Sequence, residues 1–157
     1  GYDGETIKII TSRDYEFMYS AAVVLQQQLE SVGVDVELEV FDWATLLNNM
    51  ADQSDYDYDI NMVWLGYKPE PTAHHFLQKV VSGYTDSPEL DELRAKFESQ
   101  ATLEDAVVVY DELQEWFWDY IPALKIGDYN RIDATSTSVD NYEFSDRMIL
   151  WNATISE

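Results

Sequence analysis

The stretch from Val34 to Leu77, VDVELEVFDWATLLNNMADQSDYDYDINMVWLGYKPEPTAHHFL, constrains the fold more than any other part of the chain. Its period changes twice. Val34, Val36, Leu38 and Val40 alternate with Asp35, Glu37 and Glu39, which describes a strand with one buried and one solvated face, expected near a sheet edge. Asp42 stands where a helix cap belongs, and Leu46, Leu47 and Met50 give the next turns an apolar side. Ile60 to Leu65 is then almost uninterrupted apolar sequence, the composition expected of a central strand in a parallel sheet covered on both faces. Strand, helix and strand in this order imply a parallel crossover unit. Ligands of such sheets sit beyond the carboxyl ends of the strands. The segment Trp64, Leu65, Gly66, Tyr67 is therefore predicted to line a site, and it offers no catalytic group.

The flanking sequence extends the pattern. Thr6 to Thr11 is rich in β-branched residues and reads as a first strand. Asp14 is placed to cap the helix that follows, in which Met18, Ala22, Leu25, Leu29 and Val32 form one stripe, and Gly33 supplies the stop. Three β units with helices between them give an α/β core with helices on both faces of a mainly parallel sheet. Ser87-Pro88-Glu89 opens a further helix with proline in its first turn, with Leu90, Leu93 and Phe97 on its apolar face. Thr102 with Asp105 opens a longer one, with the stripe Ala106, Tyr110, Leu113, Phe117, Tyr120, ending before Pro122. Ala123 to Ile126 is expected to be a short strand. From Ile132 to Trp151 the polar, turn-rich sequence predicts irregular hairpins. No internal repeat and no linker divides the chain, so residues 1–157 are expected to form one α/β lobe.

Charge narrows the partners. The chain has 31 Asp and Glu against 9 Lys and Arg, a formal net charge of -22. Nucleic acid and anionic membrane surfaces both require a basic face, so both are disfavoured. With 46% hydrophobic and 14% aromatic residues, the charge does not imply disorder. The acids are spread through helices and strand edges, which fits a solvated surface or adaptation to a salty medium. There is no cysteine, hence no thiol catalysis and no disulfide frame. No apolar run is long enough to cross a bilayer, and the first residues, GYDGETIKIITS, are acidic and strand-like rather than a signal peptide.

The remaining candidates for chemistry are weak. His74 and His75 are adjacent, so on a helix their side chains diverge by about 100° and make poor joint metal ligands. Asp55, Asp57 and Asp59 alternate as in a calcium loop, but the turn glycine and the closing glutamate are missing. No phosphate-cradling glycine loop and no nucleophile elbow occurs. Trp116, Phe117 and Trp118 are expected to pack a helix on the sheet and leave one ring for an interface. These observations predict a non-enzyme without metal or cofactor.

The order of elements, taken with particular segments, resembles the C-terminal lobe of the extracytoplasmic solute-binding proteins that serve peptide, nickel and related ABC importers. The matching segments run along nearly the whole chain. They are GETIKIITS, AVVLQQQLESVGVDVELEVFDWATLL, the strand with Trp64, EPTAHHFL, SGYTDSPELDELRAKF, YDELQEWFWDYIPALKIGDYN and the closing LWN. The resemblance implies a type II periplasmic-binding-protein-like fold of three layers, with two lobes and a ligand closed between them. It implies as partners a peptide or similar small solute, an N-terminal lobe of the same protein, and a membrane permease. It also implies an extracytoplasmic location with a membrane anchor on the full-length protein. In peptide-binding members the strand ending in the tryptophan lays its backbone on the ligand, which points to Val63, Trp64 and Leu65. Those members place an aspartate three residues after the tryptophan, against the ligand's amine. Tyr67 occupies that position, and Glu70 is the nearby carboxylate that would take the role. The competing reading is an acidic protein-interaction domain without a small-molecule ligand.

Overall fold

The computed structural model describes residues 2–51, 57–78, 85–130, 132–143 and 149–156. The chain divides into two compact units, Gly1–Leu124 and Lys125–Glu157.

The first unit is built on a parallel sheet of β1 (Ile7–Ser12), β2 (Val36–Phe41) and β3 (Ile60–Asn61), in the order β2-β1-β3. β1 pairs with β2 from Ile7 opposite Val36 to Ser12 opposite Phe41, and with β3 through Ile9 opposite Ile60. The central strand is therefore β1. Its residues Ile9, Ile10, Thr11 and Ser12 are all buried. This corrects the expectation for Ile60–Leu65, which lies at the opposite side of the described sheet from β2. Only Ile60 and Asn61 make strand pairing there, and Met62 adds one bond to the Ile10 carbonyl at 2.9 Å. An apolar run does not tell a strand buried on both faces from a short strand that continues into an aromatic loop. β2 keeps its place at an edge of the described sheet, but its alternation holds only in the first half: Val36 is buried and Glu37 exposed, whereas Val40, expected on the buried face, is exposed and Glu39 is half-buried.

The crossovers explain the layers. β1 to β2 steps one way across the sheet and β2 to β3 steps back the other way. Right-handed connections then put α1 (Glu16–Ser31) and α2 (Trp43–Ala51) on opposite faces. Met18 and Ala22 of α1 and Leu46 and Met50 of α2 are buried with Ile9, Ile10, Val36 and Met62 in one core. Val32, expected in the α1 stripe, is the cap residue and 74% exposed; Leu47 is also largely solvated. Gly33 takes φ 89°, the left-handed conformation that lets the chain leave α1 and enter β2.

Two short 3-10 turns follow β3, Pro71–Ala73 and His75–Leu77, and α3 (Pro88–Glu98) and α4 (Leu103–Tyr120) pack on each other and on the second of them. Ser87 caps α3 by accepting from the Leu90 amide, and Thr102 caps α4 by accepting from the Asp105 amide, as their sequences predict. The α4 stripe is displaced from the predicted one: Val109, Leu113 and Trp116 are buried, whereas Tyr120 is half exposed. Trp116 and Phe117 pack against Leu90, Leu93, Phe76 and Leu77, so the aromatic triplet packs on helix and loop rather than on the sheet. Trp118 is the ring left outside. α4 ends at Ile121 in the left-handed conformation, φ 53°.

Residues 121–130 form no regular element, so the predicted strand at Ala123–Ile126 is absent. In the second unit β4 (Val139–Asp140) and β5 (Thr154–Ile155) pair antiparallel, and Glu143 bridges Ile149, in keeping with the predicted hairpins. Among its described residues none is buried; Ile132, Trp151 and Ile155 are more than four-fifths exposed.

Candidate ligand-binding site

The order β2-β1-β3 reverses direction at β1, and such a switch leaves a crevice beyond the carboxyl ends of the strands on either side of it. The loops that emerge there are short and tied together. After β1, the Asp14 amide donates to Ser12 Oγ at 3.2 Å, and the Asp14 carboxylate accepts from the Trp43 amide at 2.7 Å. Asp14 therefore caps the second helix across the edge of the sheet and not the first, which starts at Tyr15 with no side-chain cap. Asp42 behaves as predicted, accepting from the Thr45 amide at 3.0 Å and from its hydroxyl at 2.6 Å. These bonds hold the Asp42 carboxyl below its usual range.

Each strand end carries one large ring, and the three rings meet. Tyr15 follows β1, Trp43 follows β2 and Trp64 follows β3. Tyr15 stands edge-on to Trp43 at 5.0 Å between centroids and edge-on to Trp64 at 6.0 Å. Trp43 and Trp64 lie nearly parallel, 16° apart in plane and 6.5 Å between centroids. Tyr15 and Trp43 are half-buried against the main core, and Trp64 is 45% exposed. The sequence singled out Trp64 and missed the other two. Their signal was present, since each is the aromatic just past a predicted strand end, but it carries weight only once the strand order is known.

The other predicted residues lie along the same segment. Val63 packs partly on the core, while Leu65 and Tyr67 are exposed. Glu70 caps the first 3-10 turn: its Oε1 accepts from the Thr72 amide at 2.9 Å and from the Thr72 hydroxyl at 2.7 Å. One oxygen of that carboxylate is thereby occupied. His74 stacks on Phe76 at 5.2 Å, and burial pushes its imidazole below the ordinary histidine range, against the pull of Glu70. Among the described residues no group of three metal-ligating side chains occurs, and Asp55 of the acidic turn lies outside them.

The cations complete the site. Among the described residues Lys8, Arg94, Lys96 and Lys125 have carboxylate partners. Arg13 and Lys68 have none among the described residues. Both belong to strand-end loops, one after β1 and one after β3. Arg13 lies over the Tyr19 ring, 4.3 Å from its centroid.

No family model matches the chain. A probable peptide ABC transporter periplasmic-binding protein of Sinorhizobium fredii is 25% identical over 161 residues, covering 97% of this chain and 30% of that protein. The oligopeptide-binding protein AppA of Bacillus subtilis, solved with a nonapeptide, superposes with a TM-score of 0.71 at 16% identity, over 97% of this chain and 32% of that one. A dipeptide-binding protein of a Pseudoalteromonas species, solved with Met-Leu, gives 0.75 at 20% identity, over 98% of this chain and 32% of that one. The chain thus spans 30% of the length of the curated relative that it matches. The resemblance read from the sequence holds along nearly the whole chain, and the fold is the α/β fold of the type II periplasmic-binding proteins.

Proposed function

We propose that this chain is the C-terminal ligand-binding lobe of a solute-binding protein that captures a peptide or similar small solute and delivers it to an ABC importer. The observation that carries the reading is the convergence of three strand-end loops at the switch point, with aromatic rings and two unpartnered cations and without a catalytic pair. The backbone of Val63, Trp64 and Leu65 lies along the ligand. Arg13 and Lys68 attract its carboxylate, because a guanidinium or ammonium left without a counter-ion favours an incoming anion. Tyr67 offers a hydroxyl where a carboxylate would meet an amine, and the free oxygen of Glu70 is the remaining acid on this side of the cleft. The other lobe, upstream in the same polypeptide, closes over the ligand by hinge motion. Such a protein works outside the cytoplasm, beside its permease and held to the membrane.

The test is calorimetry on the complete polypeptide with short peptides, free and C-terminally amidated. Micromolar binding of the free acids is expected. Arg13→Gln or amidation should weaken it by about 1.5–3 kcal/mol, the range for a hydrogen bond to a charged group. Equal affinity for acid and amide would remove the cations from the site. Absence of peptide binding would overturn the reading.

A further inference from the structure

The three-ring cluster has a back and a front. Tyr15 and Trp43 are half-buried and pack on the main core, whereas Trp64 lies against both rings with almost half its surface free. Residues 62–68 form no regular element, so helix or strand hydrogen bonds do not fix the Trp64 indole. What holds its plane is the near-parallel Trp43 ring behind it and the Tyr15 edge beside it. Trp43 is in turn anchored at the first turn of α2 by the Asp14 carboxylate. The two acids next to the rings, Asp14 and Asp42, both accept bonds from the α2 start. The free ring face is therefore apolar and backed by packed rings, and each of the two neighbouring acids is already engaged at the α2 start.

We infer that Tyr15, Trp43 and Trp64 form one wall that selects ligands carrying an apolar or aromatic side chain, with Trp43 as the positioning residue that sets the plane of Trp64. The inference rests on the ligand-binding reading above and adds to it the class of side chain taken. A ring held before the ligand arrives loses little freedom on binding, so its stacking contribution is retained. A single mobile indole would give less, and would favour no side chain strongly.

The experiment uses the complete polypeptide and alanyl tripeptides that vary at one position among leucine, phenylalanine, serine and lysine. Leucine and phenylalanine peptides are expected to bind roughly tenfold tighter than serine peptides, the factor one well-placed aromatic contact supplies. Trp43→Ala should cut that ratio to about threefold or less, and Trp43→Phe should restore it. Trp64→Phe, a change at an exposed position that leaves the core intact, should also reduce the ratio, so a misfolded alanine variant does not shelter the idea. Preference that survives both Trp43→Ala and Trp64→Phe overturns the inference, as does equal binding of all four peptides or tighter binding of the lysine one. If the unsubstituted protein binds no tripeptide, the transport reading falls and this inference with it; binding without preference defeats this inference alone.

Discussion

At the scale of single residues, the three rings that meet at the strand ends come from separate parts of the chain. Trp64 stood out because it ended an apolar run, but Tyr15, Trp43 and Arg13 belong to other crossover units, and only strand order brings them to one edge. Asp14 shows the same limit. Cap chemistry was correctly read from its position, but the helix it serves is the distant one, because the sheet brings the Trp43 amide within 2.7 Å of its carboxylate. His74 supports a test. Its imidazole is held below the ordinary value of 6.5, chiefly by burial. A base whose folded value is depressed takes up its proton more readily when unfolded. Its contribution to stability is therefore complete above the unfolded value and is lost as pH falls through the folded one. Melting midpoints at about pH 7.5 and about pH 5.5 should differ less for His74→Phe, which keeps the stack on Phe76, than for the unsubstituted protein. Identical differences would show that His74 titrates as it does in the unfolded chain.

At the scale of elements, starts were legible and faces were not. Ser87, Thr102 and Asp42 each cap the helix their sequences announce, since a cap is a local bond between neighbours in the chain. The α4 stripe was misplaced because VVVYDELQEWFWDY is apolar on more than one side, and only contact with α3 decides that Trp116 faces inward. β3 is shorter than its apolar run: Met62 makes the last bond to β1 and stays in the core, and Trp64 joins the aromatic cluster. The end of α4 carries a local conflict: Ile121 is β-branched, precedes Pro122, and sits at φ 53°, ψ 61°. A left-handed residue with a Cβ costs about 1–2 kcal/mol, part of which glycine would return to its larger unfolded-state entropy. Ile121 is half exposed, so its replacement forfeits little burial. Ile121→Gly is expected to raise unfolding free energy by about 0.5–1 kcal/mol in a denaturant titration. A loss of stability would mean that the isoleucine side chain makes contacts worth more than the strain.

At the scale of the whole molecule, composition was the most direct guide. A net charge of -22 leaves most carboxylates without a cationic neighbour. Raising ionic strength from about 0.01 M to about 1 M shrinks the screening length from about 30 Å to about 3 Å. Salt also weakens the surface pairs of Lys8, Lys96 and Lys125, but each is worth at most about 1 kcal/mol. Relief of repulsion among the remaining acids outweighs that loss. The melting midpoint is expected to rise by about 2–4 °C for each kcal/mol gained at this chain length. A flat or falling midpoint would show that the acids are already locally compensated. The α/β class was likewise legible, because the alternation of strand and helix periods is a long-range pattern, while the identity of the central strand was not, because pairing order leaves no trace in local sequence.

The uneven burial of the chain has a consequence for its lifetime. From β1 to α4 every described element except the two-residue β3 holds a buried side chain, but from Lys125 onward no described residue is buried, and Ile132, Trp151 and Ile155 face solvent. A segment that opens at almost no free-energy cost is the first to enter a protease cleft or a chaperone groove. A partner lobe of the kind proposed above, if it covered those side chains, would also act as a guard against turnover. A chain released without that lobe would be shortened from its C-terminal side, and the parallel sheet with its three rings would outlast the rest.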